Sequence, residues 1–135
     1  MKDGREVRLK QLYDQIDQLD ESIPSELNQI IKLYSKALML IGYFDADALR
    51  EYNLAYAERK RAEGEVKANF KGTGVEKEGQ TEIAIYELRK IEAQKKAKSR
   101  EWTNVFKATE QLIIAYRRDE QALITELKNT DGTGG

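Results

Sequence analysis

The chain has 135 residues, of which 24 are acidic and 23 basic, so its formal net charge of −1 creates no global field that would favour an anionic partner. It contains no cysteine and no histidine, which excludes disulfides, thiol nucleophiles and Cys/His zinc sites and removes the commonest general base. At roughly 100 to 200 residues per domain, this length suits one domain, or a small core with long helical arms. Proline interrupts helices, and the chain has only one, so its composition favours helix throughout. We therefore expect an all-α, non-enzymatic protein with no cofactor and no metal.

The distribution of apolar residues indicates where the protein is located. No apolar run reaches membrane-spanning length, and charges interrupt the first 20 residues, where a signal peptide would need an apolar stretch. We therefore expect a cytoplasmic protein that has no membrane partner.

The first predicted helix belongs to an N-terminal arm over residues 1–23. Its apolar residues alternate at steps of three and four, which is the spacing of a coiled-coil interface. They are Leu9, Leu12, Ile16, Leu19 and Ile23. A helix this short is marginal in water by itself, so the arm either pairs with another subunit or docks on the rest of the chain. We assign the five residues, as a hypothesis, to a homo-oligomer interface.

A helical core is predicted over residues 24–128. Pro24 suits the first turn of a helix that ends near Ile41, with Gly42 as its C-terminal stop. Asp45 is then expected to cap the next helix. A loop over residues 71–80, rich in glycine, predicts an antiparallel hairpin between that helix and the following one.

The remainder of the core is predicted to be helical with one interruption. Thr81 is a candidate N-cap for the second hairpin helix. The charged stretch over residues 92–101 either continues as a solvated helix or breaks near Ser99, which could cap a fresh helix from Arg100, and we favour the break. The final helix is long and amphipathic and runs to about Leu127. Residues 129–135 are predicted to form a disordered tail.

The densest basic cluster lies between residues 89 and 100. Such a cluster can neutralise phosphates and bind nucleic acid in a salt-dependent way, although the alternative is an ordinary solvated helix face. We assign DNA contact, as a hypothesis, to Lys95, Lys96, Lys98 and Arg100, with Arg59, Lys60 and Arg61 on the partner helix as a second group.

The order of features from Leu33 to Arg100 is similar to that of a known family. A helix with an aromatic residue and spaced leucines ends in glycine, here at Tyr34, Leu38, Leu40 and Gly42. An acidic turn reads Phe44-Asp45-Ala46-Asp47, and the next helix reads Leu49-x-x-Tyr52-x-x-x-Tyr56 before a charged hairpin. This pattern covers roughly half of the chain and resembles the small terminase subunits of tailed bacteriophages.

The resemblance implies a non-enzymatic DNA-packaging subunit in the cytoplasm of a bacterial host. Such a subunit assembles into a homo-oligomeric ring, binds viral DNA and recruits or regulates the large terminase subunit, which has the ATPase and nuclease activities. The packed core would then include Tyr34, Leu38, Leu49, Tyr52 and Tyr56. The main alternative is a helical protein–protein interaction or assembly adaptor without DNA binding, and a further one is a small inhibitor of a host enzyme.

Overall fold

The computed structural model describes residues 4–133, which form three α-helices and no strand. Helix α1 spans Gly4–Asp17, α2 spans Pro24–Asn69 and α3 spans Gly74–Thr133. The prediction of an all-α chain is confirmed. The chain divides into two compact units. Unit 1 combines α1 with the residues up to Tyr43 and those from Asn104 onward, and unit 2 spans Phe44–Thr103.

A short turn over residues 18–23 connects α1 to α2. Asp20 accepts hydrogen bonds from the backbone N–H of Ser22 at 2.9 Å and from its hydroxyl at 2.7 Å. These bonds favour the charged carboxylate and lower the pKa of Asp20. Pro24 is the first residue of α2, as predicted, because a helix leaves its first N–H groups unpaired and proline has none.

In unit 1, α1 buries its apolar side chains against its own chain. Leu9, Leu12 and Ile16 are 7%, 0% and 7% exposed. The other buried apolar residues of this unit are Leu27, Ile30, Ile31, Ala37, Ile41 and Ile113. Side chains already covered in this way offer no surface to a partner. The structure therefore corrects the oligomer hypothesis at three of its five positions, while Leu19 is half-buried and Ile23 is exposed.

Helix α2 continues through Gly42, which corrects the predicted helix end at that residue. A Cβ atom at Gly42 would lie 3.2 Å from Cε2 of Phe106, so the missing side chain permits close packing within unit 1. This packing outweighs the modest intrinsic cost of glycine inside a helix. Asp45 is no cap either: it lies inside α2 and accepts a hydrogen bond of 2.6 Å from the hydroxyl of Thr103.

Only residues 70–73 separate α2 from α3, so the predicted loop over residues 71–80 is too long. Thr73 caps α3: the Glu76 N–H donates to Thr73 Oγ1 at 3.2 Å, and the Thr73 N–H donates to Glu76 Oε2 at 3.4 Å. This reciprocal pair is a capping box. Thr81, the predicted cap, lies inside α3, where its buried hydroxyl donates to the Lys77 carbonyl at 2.6 Å.

Helix α3 is continuous to Thr133. The predicted break at Ser99 is wrong, because Ser99 lies in mid-helix and is buried. The predicted disordered tail is also wrong over residues 129–133, which are helical, while residues 134–135 lie outside the described residues. The hairpin is therefore made of two helices far longer than the glycine and serine positions indicate.

Candidate nucleic-acid interface

In unit 2, α2 and α3 run antiparallel. Four contacts set their register: Phe44 with Trp102, Asp45 with Thr103, Glu51 with Lys95, and Arg59 with Glu92. From one contact to the next, the residue number rises along α2 and falls along α3, which shows that the two helices are antiparallel. The aromatic pair is stacked, with ring centroids 4.8 Å apart.

Each helix in unit 2 has one series of covered positions that recur at alternating steps of three and four residues. This spacing keeps one face of each helix turned toward the other. We call these positions the unit 2 interface: Asp45, Ala48, Tyr52, Ala55, Arg59, Ala62 and Val66 in α2, and Thr81, Ile85, Leu88, Glu92, Lys95, Ser99 and Trp102 in α3. About half of these residues are polar or charged, so the pattern of apolar residues alone does not reveal the interface.

Arg59, predicted to contact DNA, is instead 7% exposed within the unit 2 interface. Its Nη1 lies 2.9 Å from Glu63 Oε2, and its Nη2 lies 3.2 Å from Glu92 Oε1. The hydrogen bond to Glu92 is the main cause of a raised pKa at Arg59, and the same bond is the main cause of a lowered pKa at Glu92. Arg59 therefore joins the two helices, and its charge is neutralised by the chain itself.

Two further predicted DNA contacts are also paired. Lys95 is half-buried, and its Nζ lies 3.0 Å from Oε2 of Glu51. Arg61 is exposed, but its guanidinium lies 2.6 Å from Glu58 Oε1 and 2.7 Å from Glu65 Oε1. The hydrogen bonds that Arg61 donates to Glu58 and Glu65 raise its pKa. Both residues are consequently weaker candidates for phosphate contact than the sequence indicates.

Four predicted contacts remain accessible. Lys60, Lys96, Lys98 and Arg100 are all exposed. None of them forms an ion pair with an acidic residue that the structure describes. These four side chains are free to meet phosphates, provided that they share a surface.

Lys96 and Arg100 share a surface, whereas Lys98 does not. Residues four apart lie on one face of an α-helix, whereas residues two apart point about 200° from each other around its axis. Lys96 precedes Thr103 by seven residues and so lies on the flank where Thr103 meets Asp45. Lys98 follows Lys95 by three residues, on the flank where Lys95 meets Glu51.

Lys96 and Arg100 lie on one flank of the unit 2 interface, and we call this flank the basic side. Helical spacing places five basic residues on it, Lys60, Lys67, Arg89, Lys96 and Arg100, against the two acids Glu63 and Glu82. The positive charges act on neighbouring acids: Lys67 chiefly, and Lys60 in addition, lower the pKa of Glu63 on the same side. Arg89 and Lys96 add to the effect of Arg59 in lowering the pKa of Glu92 in the unit 2 interface.

The opposite flank, which we call the acidic side, has the reverse charge. It presents Asp47, Glu51, Glu58, Glu65, Glu87 and Glu101 against Arg61, Lys77 and Lys98. Unit 2 therefore separates its charges between two long sides, even though the charge of the whole chain nearly cancels. This separation is the feature of the site that a count of charges misses.

The basic side also presents two residues that the sequence assigned to the core. Leu49 and Tyr56 are 49% and 43% exposed, which corrects that assignment, whereas Tyr34, Leu38 and Tyr52 are half-buried. Lys60 Nζ lies 5.8 Å from the ring centroid of Tyr56. The step of seven residues from Leu49 to Tyr56 is the signal in the sequence that places both on one flank.

Comparisons with known protein families, with curated proteins and with solved structures return no match to this chain. The terminase resemblance thus stays a prediction from the sequence. Among the described residues, no helix combines the length and the apolar character that crossing a bilayer requires.

Proposed function

We propose that this chain is a non-enzymatic DNA-packaging subunit of a tailed phage or prophage. It oligomerises, binds viral DNA and recruits or regulates a large terminase subunit in the cytoplasm of the bacterial host. The observation that supports DNA binding is the basic side, where Lys60, Lys96 and Arg100 are exposed and form no ion pair with a described acid. The resemblance of the sequence supports the packaging role and the large-subunit partner.

The geometry favours contact with the phosphate backbone. Lys96 and Arg100 are separated by about 6 Å along α3, and duplex DNA has one phosphate charge for about every 1.7 Å of its axis. Lysine and arginine contacts to phosphate fix orientation but do not read sequence. Unit 2 would therefore bind duplex DNA through its basic side, with little sequence preference. The spacing of the unit 2 interface, which supports an antiparallel coiled coil, holds the two helices that carry this side together.

A fluorescence-anisotropy titration with a short labelled duplex tests DNA binding directly. We expect log affinity to fall linearly with log salt, with a slope near −3 for three phosphate contacts at about 0.9 each. Binding that is absent at low salt would remove DNA from the proposal. Packaging is tested separately, by the effect of the chain on the ATPase rate of a purified large terminase subunit.

The second candidate function is a helical assembly adaptor that does not bind DNA. The supporting observation is the exposure of Ile83 and Tyr86, at 73% and 59%, on α3 outside the unit 2 interface. An adaptor would bind a partner protein with little dependence on salt and would retain no duplex. The same titration therefore separates the two candidates.

A further inference from the structure

We infer that unit 2 of one copy docks through its acidic side on the basic side of a second copy. This inference rests on the proposed function only for the expectation that copies assemble. It differs from that function in naming the two surfaces, and it does not need DNA.

Each side has an exposed apolar centre. On the acidic side, Leu54 is 62% exposed between Glu51 and Glu58, and Ile91 on α3 is 44% exposed. On the basic side, the corresponding residues are Leu49 and Tyr56. A protein interface commonly has such an apolar centre with a charged rim around it.

The rims are complementary in charge. The acidic rim includes Glu58 of α2 and Glu101 of α3, and the basic rim includes Lys60 of α2 and Lys96 and Arg100 of α3. Opposite charge on facing surfaces steers encounter and penalises wrong partners. Glu58 and Glu87 form exposed ion pairs with Arg61 and Lys90 of their own helices. Because exposed ion pairs contribute little free energy, these glutamates can leave them for cations of a second copy at little cost. A second copy supplies the matching surface without any other protein.

The two docking surfaces are different, so the contact is heterologous. A heterologous contact repeats from copy to copy and produces either a closed ring or an open filament, not a two-fold dimer. It also uses the basic side that the proposed function assigns to DNA. Duplex DNA and a second copy should therefore compete, and excess duplex should reduce self-association.

A charge-swap experiment tests the docking. The first variant is Glu58→Lys/Glu101→Lys on the acidic side, and the second is Lys96→Glu/Arg100→Glu on the basic side. Light scattering gives the mass of the full-length chain at two protein concentrations, in about 0.05 M and about 0.5 M salt, between which the Debye length shortens roughly threefold. The matched control is Lys32→Glu/Lys36→Glu, which changes two exposed lysines of unit 1 and alters the net charge by the same amount as the second variant.

We expect the wild type and the control to associate in low salt and to dissociate in high salt. Each charge-swap variant alone should associate at least about tenfold more weakly, because it opposes like charges. An equimolar mixture of the two variants should associate again, since both kinds of contact between unlike variants become complementary. Circular dichroism establishes that each variant is folded, and the exposed substitution Leu54→Gln, which keeps all charges, should weaken association as well.

A wild type that is monomeric at both concentrations in low salt would overturn the inference. So would variants that associate like the wild type, or a mixture that does not recover. Failure of the proposed function looks different: the chain would self-associate as expected but would not bind the labelled duplex. Conversely, a chain that binds duplex and stays monomeric retains the DNA proposal and loses the docking surfaces.

Discussion

Arg59 Nη2 lies 3.2 Å from Glu92 Oε1, and this ion pair joins α2 to α3 inside unit 2. Much of the surrounding α2 surface in the unit 2 interface is alanine, at Ala48, Ala55 and Ala62. Three alanines at intervals of seven give a smooth surface that specifies register poorly. A largely buried charged pair has one matching position, so the Arg59–Glu92 pair, together with the three other contacts between the helices, favours a single register within unit 2.

Removal of Arg59 should destabilise the protein. In Arg59→Ala, Glu92 is left without its partner within a largely covered interface, and we expect the free energy of unfolding to fall by about 1 to 3 kcal/mol. Urea unfolding followed by circular dichroism measures this change. Arg61→Ala is the matched control, because Arg61 is exposed and pairs only within α2. If Arg61→Ala loses as much stability as Arg59→Ala, the Arg59–Glu92 pair does not specifically stabilise the contact between α2 and α3.

The same pair predicts a pH dependence. The pKa of Glu92 is held below its ordinary value of 4.5, chiefly by Arg59, so its stabilising effect is present above that value and is lost as the pH falls through the lower, folded-state pKa. Unfolding free energies measured between neutral pH and pH 3 should therefore decline less steeply in Glu92→Gln than in the wild type. Parallel curves would show that the Glu92 carboxylate is not selectively stabilised by folding.

The packing of α1 predicts a large core effect. Leu12 is fully buried, so Leu12→Ala should lower the free energy of unfolding by about 2 to 5 kcal/mol. Val7, on the same helix, is 45% exposed, and Val7→Ala serves as the control with a much smaller effect. The effect at Leu12 should not depend on protein concentration, because the packing lies within one chain. A destabilisation that grows on dilution would return α1 to an oligomer interface.

Two glycines inside α2 should respond differently to alanine. A Cβ atom at Gly64 meets nothing within 4 Å, so Gly64→Ala should raise the free energy of unfolding by about 1 kcal/mol, the difference in helix propensity. At Gly42 the added atom would press on Phe106, and the increase should be smaller or reversed. Thermal melts of both variants make the comparison, and an equal increase at the two sites would contradict the close approach at Gly42.

The sequence predicts the helical class well because its evidence is spread over many residues. Apolar spacing correctly predicted helix within α1, α2 and α3, although it divided α2 and α3 into shorter helices, and the start of α2 at Pro24 is confirmed. The errors concern single residues taken as stops. Gly42 and Ser99 each cost a helix little, and packing in units 1 and 2 outweighs that cost. The cap at Thr73 could have been predicted from the sequence, because Glu76 follows it by three residues and completes a capping box, whereas Thr81 has no such glutamate.

The candidate site was harder to predict because its framework is polar. Arg59 and Lys95 look like surface cations until the unit 2 interface is known, since neither belongs to an apolar stripe. Once the interface positions are fixed, simple helical spacing separates Lys96 and Arg100 from Lys98. What sequence alone lacked was therefore the identity of the face that each helix turns toward the other.

The most direct measurement compares DNA binding of two variants that differ in the side they alter. Lys96→Ala/Arg100→Ala removes two cations from the basic side, and we expect the slope of log affinity against log salt to shrink by about 1.8, since each phosphate that is no longer neutralised accounts for about 0.9. Lys98→Ala removes a lysine that is also exposed, but on the acidic side, and should leave affinity and slope unchanged. Equal effects per charge removed in the two variants would contradict a DNA surface confined to the basic side.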